Sequence, residues 1–231
     1  MSTKIIIDSA SDISAAEAQT LGITMLSMTV TIGGHEYLDG VDLLPTQFYE
    51  KLVESDALPK TSQVTPYRFA EAIEPILAAG DEVVIITISS ALSGTYAAAV
   101  QAAREHGERV LVVDSKSACI GERLLCQYAL RLLEESPDMS ARDLADALEA
   151  VKGRLCVMAM LNTLEYLKKG GRISSVVAFA GELIGLKPVI ALADGEVALV
   201  GKARGSKNGS NLLTALVDQR GGIDFSMPFG V

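Results

Sequence analysis

With 231 residues the chain is long enough for one large domain or two small ones, each with a real core. Its formal charge of −9 argues against a nucleic-acid binder, which would show a basic face, and weakly against docking on an anionic membrane. Apolar residues make up 49% and aromatics only 5%, so the core must be aliphatic.

The first element is the strand "KIIID", with "SASD" as its turn. "ISAAEAQTLG" has helical spacing and closes at Gly22 as a C-cap. "ITMLSMTVTI" predicts a strand and "GGHEYLDG" a polar hairpin loop. "PTQFYEKLVES" predicts a helix, and "LPKTSQVTP" a loop with proline at both ends. "YRFAEAIEPILAAG" predicts a helix that Pro75 should kink or break. Strand "EVVIITI", a hydroxyl-rich turn, helix "TYAAAVQAAREHG" and strand "RVLVVDS" follow. A helix is expected from about Ile120 to Glu135, and another over "SARDLADALEAVKG" with Ser140 as N-cap and Asp143 at N3. Short strands that are apolar on both faces alternate with helices, the pattern of a parallel sheet covered on both sides.

After Gly153 the pattern changes. "RLCVMAML" reads as a strand, "TLEYLKKGG" as a short helix, and "KPVIALADGEVALVGKARG" as a hairpin turning on Asp194-Gly195. The expectation is an N-terminal α/β domain over residues 1–153 and a smaller mixed α/β domain over residues 154–231. "GGIDFSMPFGV" reads as the beginning of a strand, so the second domain is expected to be incomplete at its end. Cys119, Cys126 and Cys156 lack C-x-x-C spacing; the first two, seven apart, share one face of a helix. Buried free thiols in a reducing cytosol are the expectation. No secretory signal opens the chain, and no stretch approaches the roughly 18 apolar residues of a membrane span. A soluble, cytoplasmic protein without stable membrane insertion follows as the expectation.

The turn "SSALSGT" holds more hydroxyls than a turn requires. It lies beyond the carboxyl end of a strand, where open parallel sheets bind ligands. The helix that starts near Ser93 or Gly94 offers unsatisfied N–H groups and a positive dipole end, suited to a carboxylate or phosphate. Gly94 lets a ligand approach the backbone, and Ser93 and Thr95 can donate O–H groups. Ser93 acting only as an N-cap is the plainer alternative. "KTSQVTP" supplies Thr61, Ser62 and Thr65, although capping by Thr65 with Pro66 at N1 explains much of it. "DSKSACIG" is a third hydroxyl set, and all three are expected along one sheet edge.

Catalysis by Ser93 lacks its parts. The G-x-S-x-G elbow is absent, and His35 and His106 both read as exposed polar residues rather than a base. Neither metal-ligand spacing nor a nucleotide-binding glycine motif occurs. "GKARGSKNG" superficially resembles a phosphate loop but reads equally as a solvated basic turn. "YLKKGGRIS" is a basic turn in an acidic protein, either a patch for an acidic partner or a helix end with Lys168 and Lys169 on its dipole.

"IIIDSASDI", "YLDGVDL", "LPKTSQVTP", "ISSALSGTY", "VVDSKSACIG", "TLEYLKKGGRIS" and "GLKPVIALADGEVALVGKARG" stand in the order and spacing of the DegV family, which the chain resembles over nearly its whole length. The resemblance implies a bacterial fatty-acid-binding protein of two α/β domains with a long-chain fatty acid buried between them. Some members are the lipid-carrying subunit of a fatty acid kinase. They present the carboxylate to an ATP-binding subunit of the dihydroxyacetone-kinase type, which makes acyl phosphate. By the same resemblance, Thr61, Ser62, Ser93, Gly94 and Arg204 match positions around the carboxylate, and Arg172 matches an arginine of the partner-docking surface. No cofactor, metal or catalytic residue of its own is implied. The chain departs from the family in Ala10, often threonine, in "VTP" where "PSP" is common, and in lacking a later H-T-G-P-G-like segment. The competing readings are a stand-alone serine esterase or small-molecule kinase, and a fatty-acid-sensing regulatory protein.

Overall fold

The computed structural model describes residues 2–55, 57–173 and 185–230. Ser174, which ends the basic-turn motif, and Val231 lie outside them. Four strand-forming runs of the first half assemble as a parallel sheet. Strands β1 (Thr3–Asp8), β2 (Thr24–Leu26), β6 (Glu82–Thr87) and β7 (Val110–Asp114) take the order β2-β1-β6-β7. Ile6 pairs with Thr24 on one side and Ile85 on the other, and Val84 with Leu111, all in parallel register.

Alternation along these strands feeds two cores. Ile5, Ile7, Val84, Ile86 and Val113 pack against α1 (Ala15–Leu21), α5 (Ile120–Glu135) and α6 (Ala141–Lys152). Ile6, Val83, Ile85 and Val110 pack on the opposite face against α3 (Pro66–Ala78) and α4 (Thr95–Ala103). With both faces covered, the strands need no polar alternation, and this is why they read as continuous apolar runs. The caps are also as expected: Ser140 accepts from the Asp143 N–H at 3.1 Å, and Gly22 closes α1 at φ 68°. Pro75 stands in the last turn of α3, and the helix ends at Ala78.

The run "ITMLSMTVTI" is two strands rather than one. β2 ends at Leu26, and β3 (Thr29–Ile32) belongs to a separate antiparallel sheet. Its order is β4-β3-β5, with β4 (His35–Leu38) and β5 (Lys60–Ser62), backed by α2 (Pro45–Glu54). The break is stabilised from elsewhere in the chain: Ser9 Oγ accepts from the Met28 N–H at 3.0 Å, and Arg68 donates to the Ser27 carbonyl at 2.7 Å. The expected polar loop therefore contains a strand, β4, behind a Gly33-Gly34 turn at φ 56° and 84°. The expected loop around Thr61 likewise contains β5, which pairs with the free edge of β3.

In the second half, β8 (Met158–Met160), β9 (Lys187–Ala193) and β10 (Glu196–Ala203) form an antiparallel sheet of order β10-β9-β8. Helix α7 (Glu165–Lys169) precedes the hairpin. The hairpin turns on Asp194 (φ 49°) and Gly195 (φ 87°), the left-handed pair of a two-residue turn. "GSKNG" is not a solvated basic turn. It opens helix α8 (Ser206–Gln219), with Gly209 against Met160. Nor do the last described residues form a strand: Gly221 and Gly222 take φ 95° and 78°, and residues 222–230 are irregular. Of the cysteines only Cys126 is buried; Cys119, with φ 54°, caps α5 instead of lying within it, and both Cys119 and Cys156 are exposed.

One glycine shows how tightly the two halves approach. A Cβ on Gly121, the second residue of α5, would collide with Ser117 Oγ and come within 2.5 Å of Val157. Gly121→Ala gains at most about 1 kcal/mol of helix propensity but overpacks a buried contact, at about 1–3 kcal/mol. We expect net destabilisation by urea unfolding; a more stable variant would show that Val157 yields freely.

Candidate functional site

The strand order reverses between β1 and β6: the chain leaves β1 toward β2 on one side, while β6 and β7 lie on the other. The crevice at their carboxyl ends is the usual ligand position of such a sheet. Asp8, the last residue of β1, closes its base. Its carboxylate accepts from the Ile88 N–H at 2.9 Å and the Ala10 N–H at 3.0 Å, tying β1 to the start of the hydroxyl turn. Burial pushes the Asp8 carboxyl up to about 6, against the pull of those two N–H groups.

The turn itself is a dense network. Ser90 donates to Asp114 Oδ2 at 2.5 Å, anchoring the turn to the end of β7. Ser93 Oγ accepts from the Thr95 N–H at 3.2 Å, but the N-cap of α4 is Gly94, without a side-chain cap, so Ser93 is not the N-cap. Ser93 Oγ and Thr95 Oγ1 also lie 2.9 Å apart. Thr95 is fully buried, and its hydroxyl oxygen accepts from the Val64 N–H at 3.4 Å. Either hydroxyl can donate in the contact between Ser93 and Thr95; with Thr95 as the donor, the Ser93 proton is left for an outside acceptor. Such a chain polarises its terminal donor. A carboxylate at this point meets one O–H and the N-terminus of α4 together.

The two hydroxyl segments meet. The Val64–Thr95 hydrogen bond joins them, and Gln63 lies against Gly94 where any Cβ would stand. Thr61 and Ser62, on exposed β5, immediately precede this contact. The third segment joins too: Ser89 N–H donates to the Ser117 carbonyl at 2.7 Å. Arg172 also reaches the turn. Its Nε donates to the Leu92 carbonyl at 3.0 Å and its Nη1 to the Gly170 carbonyl at 2.6 Å. Arg204 follows β10, exposed, with its carbonyl accepting from Asn208 at 3.0 Å. Among the described residues no hydrogen bond links Arg204, His35 or His106 to the turn.

Composition and motif reading passed over Glu122, which is fully buried; neither carboxyl oxygen has a partner within hydrogen-bond geometry among the described residues, although the Asp8 backbone lies close enough to favour the charged form slightly. Burial first, and then the neighbouring Asp8, push its carboxyl well above the ordinary range. A signal was present: Glu122, Leu125, Cys126 and Ala129 recur at helical spacing on the buried stripe of α5. Among the described residues no three His, Cys, Asp or Glu side chains gather as for a metal ion, and no helix is long and apolar enough to cross a membrane.

A family model described as an uncharacterised protein of the DegV family matches residues 2–224. A DegV domain-containing protein of Clostridium perfringens is 35% identical over 224 residues, 94% of this chain and 76% of that protein. A DegV family protein from Thermus thermophilus, described by its fatty acid binding, superposes with a TM-score of 0.87 at 35% identity, over 95% of this chain and 78% of that one. A stearic acid-binding protein from Eubacterium ventriosum gives 0.84 at 29% identity, over 94% and 76%.

Proposed function

Since the chain belongs to the DegV family, we propose that it binds a long-chain fatty acid, with the carboxylate at the Ser93–Gly94 turn and the tail between residues 1–153 and 154–231. The observation that carries the reading is the junction of the Thr61–Gln63 and Ser93–Gly94 segments through Gln63 and the Val64–Thr95 hydrogen bond. In this reading the junction would offer a small anion hydroxyls and a helix N-terminus together. The fatty acids named for the similar structures support the choice of ligand. A carboxylate buried unpaired would be costly, and the hydroxyls offset that cost.

In its finer form the reading has the chain catalyse nothing alone. It presents the carboxylate to an ATP-binding subunit of the dihydroxyacetone-kinase type, with Thr61, Ser62, Ser93, Gly94 and Arg204 around the carboxylate and Arg172 on the docking surface. Arg172 is exposed and bonded one residue from Ser93, so a partner seated on it would stand over the carboxylate. That partner would bring the ATP and metal ions on which phosphoryl transfer depends.

Protein purified from its expression host is expected to carry fatty acid, released by denaturing extraction and identified by mass spectrometry. A pocket that is empty and also refuses added fatty acid would defeat the reading. Turnover of an ester or of ATP by the chain alone would favour an enzyme instead.

A further inference from the structure

Ser89 opens the hydroxyl turn, and each of its polar groups is engaged. Its carbonyl accepts from the N–H groups of Leu92 (3.0 Å) and Ser93 (3.1 Å). Its hydroxyl accepts from the Ala91 N–H at 3.2 Å and donates to the Gly195 carbonyl at 2.8 Å, 106 residues later. The side chain is fully buried. Gly195 is the tip of the β9–β10 hairpin, at φ 87°, and a Cβ there would stand 2.5 Å from Ser89 Oγ and 3.6 Å from Lys116. The hairpin tip is thus seated directly on the residue that shapes the turn. At the turn's other end, Arg172 holds the Leu92 carbonyl.

We propose that Ser89 and Gly195 form a latch: seating of the hairpin tip on Ser89 sets the geometry of the turn and, through Ser93, the affinity for an anionic head group. Ser89 is a positioning residue, which touches no ligand itself. A hydroxyl has one proton to give. Given to Gly195, it fixes the lone pairs toward Ala91 and leaves the Ser89 carbonyl aimed at Leu92 and Ser93. Without the latch the turn samples other geometries. If the competent one falls to a tenth of the population, apparent affinity falls about tenfold. The head-group arm of this inference rests on the fatty-acid reading; the structural arm does not.

The structural arm is tested without ligand, by hydrogen exchange in Gly195→Ala, and in Ser89→Ala should the first variant not fold. Exchange at the Leu92 and Ser93 amides is expected to rise about tenfold, with Val84–Ile86 in β6 unchanged. No change at Leu92 and Ser93, or an equal rise in β6, would overturn the latch. The head-group arm compares hexadecanoate with hexadecanol. Ser89→Ala is expected to weaken the acid about tenfold and the alcohol by less than about threefold. Equal losses for both would overturn the coupling to the head group. If the native protein binds neither while exchange still responds at Leu92 and Ser93, the latch stands and the fatty-acid reading falls.

Discussion

Across a series of saturated fatty acids, affinity is expected to rise about fourfold with each added methylene, or roughly 200-fold from dodecanoate to hexadecanoate. The estimate follows from about 0.8 kcal/mol for each methylene removed from water. Association itself costs about 4–15 kcal/mol, the upper part of which a few hydroxyl contacts do not return. One hydrogen bond to a charged group is worth about 1.5–3 kcal/mol, so Ser93→Ala should weaken hexadecanoate about 10- to 100-fold without abolishing binding. On the proposed reading, the tail would set how tightly the ligand is held and the turn which way it faces. Displacement of a fluorescent fatty acid by each member of the series checks both numbers. A flat series, together with complete loss of binding in Ser93→Ala, would mean that the head group dominates.

The parallel sheet was legible because its cause is local. Strands such as Ile5–Ile7 and Val83–Ile86 are buried on both faces, so they stand out as apolar runs. The Asp194-Gly195 turn was legible for the same reason, since left-handed backbone at both positions requires that pair. The split between β2 and β3 was not, because Ser9 and Arg68 create it from other parts of the chain. Strand β5 exists only because β3 has an edge to pair with. Helix α8 had a local signal in Leu212, Leu213, Leu216 and Val217, but the glycines before it suggested a turn. At the site, the excess of hydroxyls was visible in sequence. The contacts that give them geometry were not: Arg172 with Leu92 and Ser89 with Gly195 span 80 and 106 residues, and no neighbouring residue announces either.

The second large effect concerns the buried acids beneath the turn. Glu122→Gln is expected to leave stability unchanged below about pH 4.5 and to raise it progressively above, by up to about 1.4 kcal/mol per pH unit. The sign follows from the direction of the shift. The unfolded chain releases the Glu122 proton near its ordinary value of 4.5, whereas the fold, which buries the group beside Asp8, keeps it to a higher pH. Above 4.5 the native state therefore binds more protons than the unfolded one, and stability falls as pH rises until the native group ionises. Asp8 adds a penalty of the same sign, growing from its ordinary 3.8 to about 6, worth about 3 kcal/mol once complete. At neutral pH, above about 6, the group that accepts from the Ile88 N–H is ionised, so the turn is anchored by a carboxylate that costs stability. A glutamine fills the same volume and is uncharged at every pH, so it removes the Glu122 slope and spares that of Asp8. Urea unfolding of both proteins from pH 4 to 8.5 separates the two. Curves that run parallel across the range would mean that Glu122 is ionised in the fold, with a cation or water among its neighbours supplying the missing partner.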